Sequence, residues 1–200
     1  MVKRWLYLLT CISSVFLCLF ILKPVHAVSL KLTPEEIQKA IEYGQKNKNM
    51  DMAAFSKQWT VSLDKGKGSA TLFTPYHNVA YKARKVAVER KEFTSKDIQG
   101  ALEIGDALTF SVTVYGEEYD FSMHYSAKLY QKEEVIHPEF EFAPEIADAS
   151  EFWPDSPCHS ARLVFKSPVK NIDLNIPVTL VAVAPGGEET FFNFDLPNMK

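Results

Sequence analysis

The chain is poor in the residues that staple or decorate exported proteins. Three cysteines occur in 200 residues, and two of them, Cys11 and Cys18, lie in an apolar N-terminal run. Past residue 27 only Cys158 remains. No disulfide can form within that part of the chain, so stability has to come from a packed core. There is no Asn-x-Ser/Thr acceptor for N-glycosylation. Close ligand spacings of the H-x-x-x-H or C-x-x-C kind are missing, as is the D-x-D-x-D-G calcium loop. No motif requires a cofactor. Positive charge is short as well: beyond Ala27 there are 19 Lys and Arg against 25 Asp and Glu. That balance leaves no electrostatic footprint for nucleic acid.

What is present begins with MVKRWLYLLTCISSVFLCLFILKPVHA. Lys3 and Arg4 precede an apolar run from Trp5 to Leu22, and the segment closes on Val25-His26-Ala27. This is the layout of a secretory signal peptide over residues 1–27, cleaved after Ala27, with residues 28–200 as a single exported domain. The run exceeds the usual signal core of about 7 to 15 residues, so the alternative is an uncleaved single-span anchor. Only in that case does the sequence imply attachment to a membrane. A lipoprotein is disfavoured, because Cys11 follows too little apolar chain and Cys18 follows Leu17 where a small residue is wanted. Without disulfides or sequons, the expected location is the bacterial periplasm or envelope.

Two stretches read almost alike, LTPEEIQKAIEYG from Leu32 and FTSKDIQGALEIG from Phe93. Each offers a threonine cap, an acidic residue three positions on, an apolar stripe and a final glycine. The chain diverges immediately after both, into QKNKNMDMAAF and DALTFSVTVYG, whereas a repeat should continue through a whole structural unit. The echo is therefore two uses of one way to start and stop a helix. Between them, Trp59, Val61 and Leu63 alternate with polar neighbours, DKGKGS turns the chain, and Ala70 and Leu72 return. A further helix starts at Thr74-Pro75 with the stripe Tyr76, Val79, Ala80, Ala83, Val86 and Ala87.

Beyond Asp106 the period is two. Strands are expected over Leu108–Val114, Tyr119–Tyr125, Ala161–Lys166 and Ile172–Ile176, then as the pair VTLVAVA and ETFFNFDL joined by Pro185-Gly186-Gly187. The class is α+β, with N-terminal helices and a hairpin followed by an antiparallel β-sheet or small β-sandwich. Immunoglobulin landmarks of Cys and Trp are absent.

Candidates for chemistry are sparse. Asp155-Ser156-Pro157-Cys158-His159 gathers nucleophile chemistry, but neighbours in an extended chain face opposite ways and a lone cysteine is commonly a small buried hydrophobe. His124, His137 and His159 could ligate a metal only if the fold assembled them. An acidic linker from Glu133 to Pro157 lacks any Lys or Arg, while Lys82, Arg84, Lys85, Arg90, Lys91 and Lys96 crowd the second and third helices. The linker also carries Phe140, Phe142, Phe152 and Trp153, which either pin it to the core or form a binding surface facing the edge or open face of the sheet. The expectation is a non-enzymatic envelope or periplasmic module binding an unknown envelope protein or small ligand. Its alternatives are a metal-binding protein using the three histidines and an enzyme with an unfamiliar site.

Overall fold

The computed structural model describes residues 28–103 and 106–200. The expected signal peptide, its cleavage site and Gly105 lie outside the described residues. Helix α1 spans Pro34–Lys46. The Thr33 hydroxyl accepts from the Glu36 N–H at 3.2 Å, and the Glu36 carboxylate accepts from the Thr33 N–H at 2.8 Å. The capping box read in the sequence thus closes in both directions. Helix α2, Met52–Ser56, is capped by Asp51, whose side chain accepts from Ala54 N–H at 2.9 Å. A 3-10 turn, Lys57–Trp59, leads into strands β1, Thr60–Ser62, and β2, Ser69–Phe73. Helix α3 covers Pro75–Val88 and α4 covers Ser95–Leu102. At α4 the Asp97 carboxylate accepts from both the N–H and the hydroxyl of Thr94, at 2.9 and 2.7 Å. The second helix start of the echo leans on its acid more than the first does.

The C-terminal half supplies strands β3 Ala107–Gly116, β4 Ser126–Gln131, β5 Glu134–Ile136, β6 Phe140–Phe142, β7 Asp148–Ala149, β8 His159–Pro168, β9 Val178–Val183 and β10 Glu189–Phe194. Two expected strands are not there. Over Tyr119–Tyr125 the N–H groups of Phe121, Met123 and Tyr125 bond to carbonyls three residues back, at 3.1 to 3.4 Å. Backbone groups satisfied within successive turns are not free for a ladder. His124, with φ of 67°, is part of that turn region rather than of a strand face. Over Ile172–Ile176, the Asp173 carboxylate accepts the Asn175 N–H at 2.9 Å. Local turn chemistry of this kind competes with the strand that apolar alternation suggests.

All pairings are antiparallel. One sheet has the order β1-β2-β3-β8-β6, with β7 also on β8; the other has the order β10-β9-β4-β5. Leu72, Phe110, Val112, Leu163 and Phe165 of the first share one core with Leu129, Leu180, Phe192 and Phe194 of the second. Phe110 and Phe194 meet across it with centroids 5.1 Å apart. This is the small sandwich of an α+β fold, with helices at the β1–β2 end. The acidic linker is the crossover that carries the chain from β5 in one sheet to β6, β7 and β8 in the other.

Trp59 joins the helices to the sandwich. It is fully buried, contacts Tyr43, Phe55, Tyr76 and His77, and donates its indole N–H to the Lys200 carbonyl at 2.6 Å. An aromatic of this size hides roughly 150–250 Å², worth about 4–6 kcal/mol by transfer. Gly44 is the second join. It is buried inside α1, where a Cβ would run into the Ala80 carbonyl and lie 2.9 Å from Arg84 N of α3. The sequence reading of this glycine as a helix terminator is corrected: α1 continues to Lys46, and Gly44 is where two helix backbones approach.

Among the described residues no helix is long and apolar enough to cross a membrane.

Candidate functional site

Alternation along the first sheet decides its two faces. Leu108, Phe110, Val112 and Val114 of β3 point into the core, so Thr109, Ser111 and Thr113 stand on the outer face. Register then aligns outer-face residues into rows. One row runs Thr60, Thr71, Ser111, Val164, Phe142 across β1, β2, β3, β8 and β6; the next runs Ser62, Ser69, Thr113, Arg162. The result is a field of hydroxyls bounded by a guanidinium and, at the edge strand, an aromatic ring.

Helices α2 and α3 flank this field and, with it, line an open cavity of about 490 Å³, within the range of small-molecule sites. Its floor is Thr60, Ser62, Ser69, Thr71, Ser111 and Thr113, with Arg162 at one side and Ser56, Lys57, His77 and Tyr81 at the other. Arg162 donates from Nε to the Ser111 hydroxyl at 2.7 Å. Among the described residues no carboxylate lies within ion-pairing distance of it. A shallower groove of about 380 Å³ meets the cavity at the same arginine and is lined by Phe142, Ile146 and Val164.

His77 is the residue that sequence reasoning missed. It falls three positions before Ala80, on the buried side of α3, and is 1 % exposed between Trp59, Phe73 and Phe55. Its Nε2 lies 3.0 Å from Ser56 Oγ, and its Nδ1 is buried without a partner. Burial lowers its pKa from 6.5 to about 4, so the ring is neutral at pH 7. The Nδ1 lacks a partner in either tautomer, and with the proton on Nε2 the ring donates to the Ser56 hydroxyl. Ser56 then accepts from His77 and keeps its own proton for another acceptor. In that tautomer the pair positions a donor, whereas the Nδ1–H tautomer would accept from the serine hydroxyl, the arrangement that activates a nucleophile.

The sequence-derived candidates are dispersed. Phe140 and Phe142 stand half exposed on β6, on the outer face with Lys166 and Val164. Phe152 and Trp153 lie in the segment before β8, and Phe152 is against the β1–β2 turn. Phe152 packs on Tyr115 at 5.7 Å beneath the Lys65 ammonium at 4.9 Å, and Trp153 meets His159 edge-on at 5.7 Å. Phe152→Ala is expected to cost about 1–2 kcal/mol in urea unfolding, and Trp153→Ala, at a ring 59 % exposed, within about 0.5 kcal/mol.

His124 sits exposed in its turn and His137 in the link between β5 and β6, while His159 donates from Nδ1 to the Glu117 carbonyl at 2.7 Å. Among the described residues no three His, Cys, Asp or Glu are grouped to hold a metal ion. Burial and the neighbouring Glu117 push the Cys158 thiol up, away from thiolate chemistry. The basic helices are not partnered by the acidic linker among the described residues: Lys82 pairs with Asp97 at 3.3 Å, and Glu139 of the linker pairs with Lys170 at 3.7 Å. Arg84 bonds the Met50 carbonyl at 2.5 Å and covers the Phe55 ring.

No known family's sequence profile matches the chain, and no curated protein matches it. A crystal structure of a novel protein of unknown function from Burkholderia pseudomallei is similar at a TM-score of 0.42 and 14 % identity, over 83 % of this chain and 91 % of that one. A likeness that distant carries no argument about function.

Proposed function

We propose that this protein is a non-enzymatic binding module of the bacterial envelope, exported by residues 1–27, that holds a small ligand on the outer face of its six-stranded sheet. The observation that carries the reading is the cavity of about 490 Å³ with a hydroxyl floor and Arg162 at its side. Polar groups fixed on paired strands are held in place before a ligand arrives, which lowers the cost of binding. Phe142 closes the same face at the β6 edge, so part of the aromatic linker belongs to this surface. A non-enzymatic role fits a cysteine held as a thiol. The export reading rests on the N-terminal layout and on the absence of disulfides and sequons.

The test is native mass spectrometry of the untagged full-length chain recovered from a bacterial periplasm. The expected spectrum shows a chain beginning at Val28 and a non-covalent organic adduct. That adduct should be lost in Thr71→Trp, whose indole fills the cavity floor, while circular dichroism is unchanged. An adduct retained by the variant removes the cavity as the site. A stoichiometric metal in place of an organic adduct supports the histidine alternative, and a mass that keeps residues 1–27 supports the anchor.

A further inference from the structure

The chemistry of the cavity also narrows its ligand, an inference that rests on the binding reading above. We infer that it takes a small molecule bearing an anionic oxygen group, seated against Arg162 and hydrogen-bonded by hydroxyls whose protons the fold leaves free.

Charge comes first. Acidic residues exceed basic ones beyond Ala27, yet the cavity is lined by Lys57 and Arg162 and by no Asp or Glu. The cavity's own charged lining is positive, with Asp148 standing only in the adjoining groove, and such a lining favours a ligand that brings negative charge. Arg162 has its plane set by the bond from Nε to Ser111, and no carboxylate among the described residues neutralises it. The remaining guanidinium N–H groups match the spacing of carboxylate or phosphate oxygens.

Hydroxyl polarity comes second. A hydroxyl is normally ambivalent, donor or acceptor as its partner requires. Two on this surface are not. Ser111 accepts from Arg162 Nε–H, and Ser56 accepts from His77 in its Nε2–H tautomer, so each has its own proton left to give. Thr60 donates to the Ser56 carbonyl at 3.0 Å, so Thr71 is the donor in the bond of 2.8 Å between the two threonine hydroxyls. Both threonine protons are thus spent inside the protein, and the free donor capacity facing the cavity belongs to Ser111 and Ser56, beside the Arg162 guanidinium. A group that only accepts, such as a carboxylate or phosphate, satisfies that bias; a neutral polyol, donor and acceptor in equal measure, does not.

Calorimetry on the exported full-length chain tests this with three probes: gluconate, glucose and inorganic phosphate. Gluconate is expected to bind at least about tenfold more tightly than glucose, with affinity falling as salt rises. Arg162→Gln should raise the gluconate Kd about tenfold and leave glucose unchanged. Ser56→Ala should weaken gluconate about threefold or more, and His77→Phe added to it should weaken it no further, since the histidine acts through the serine. Competition by phosphate identifies a general anion site, and gluconate binding without such competition identifies a carboxylate site; either supports the inference. Glucose binding as tightly as gluconate, with Arg162→Gln silent, overturns the anion while leaving the cavity as a binding site. Failure of all three to shift amide resonances of the cavity strands overturns the anion and the binding reading together.

Discussion

Gly44→Ala is expected to lower the melting temperature by about 4–8 °C, although alanine is the better helix former. The intrinsic preference for alanine over glycine within a helix is about 1 kcal/mol. Against it stands a steric fact: the atoms that an added Cβ would meet, the Ala80 carbonyl and Arg84 N, are all backbone of α3. Backbone cannot rotate away as a side chain can, so α1 and α3 must move apart. The separation also loosens the cluster of Ala40, Phe55, Val79 and Ala80 packed between them. Overpacking of this kind costs about 1–3 kcal/mol and more where relaxation is blocked. A net loss near 2 kcal/mol corresponds to the stated temperature shift at about 2–4 °C per kcal/mol for a chain of this size. Gly100→Ala is the control of opposite sign. Gly100 is in α4 with nothing within 4 Å of an added Cβ. The same substitution there should stabilise by about 0.5–1 kcal/mol. Thermal unfolding of both variants, followed by circular dichroism, checks the pair; equal effects would show that propensity alone is at work.

His77 gives the second large effect, in the pH dependence of stability. In the folded protein its pKa is lowered from 6.5 to about 4 by burial. Between those values the unfolded chain binds a proton that the folded chain does not, so stability rises with pH across the window. On acidification, stability should therefore begin to fall near pH 6.5 and go on falling to about pH 4, by about 3 kcal/mol in total at 1.36 kcal/mol per pH unit. The exposed carboxylates act in a different window. Hydrogen bonds from Thr94 hold Asp97 below its usual value of 3.8, and the Ser156 hydroxyl holds Glu117 below 4.5. What those groups contribute is lost only as pH falls further, through their lowered values. His77→Phe keeps a ring among Trp59, Phe73 and Phe55 and cannot titrate. It should lose about 1 kcal/mol at pH 7 with the bond to Ser56, and its stability should be nearly flat from pH 6.5 to 4.5. Urea denaturation at half-unit steps of pH measures both curves; a variant that keeps the slope of the parent would place the buried proton elsewhere.

These two residues also mark where sequence patterns stop being informative. The glycine of LTPEEIQKAIEYG looks like a stop signal because glycine ends many helices, but α1 runs past it to Lys46. Whether a glycine ends a helix or admits a neighbouring one depends on what crosses it. His77 has the spacing of the buried stripe of α3, and that spacing was legible. Its pairing with Ser56, 21 residues earlier, was not, because the contact is made by the return of the chain through β1 and β2. Phe140 and Phe142 stand on β6, the end strand of the first sheet. Grouping them with Phe152 and Trp153 followed their nearness in the chain, and β7 and β8 carry the two pairs to different places.

The sequence by itself determined the local rules: the capped helix starts at Thr33, Thr74 and Thr94, the alternation along β3 and β8, the hairpin at Pro185-Gly186-Gly187, and so the α+β class. Each of these is set by neighbours within a few residues, where propensity and hydrogen bonding act directly. Only the tertiary structure decided that the hydroxyls of β1, β2 and β3 form one floor, that Arg162 of β8 lies beside them, and that α2 and α3 flank the space. Alternation says that a threonine faces outward; it takes register between strands far apart in the chain to say which residues it faces outward with.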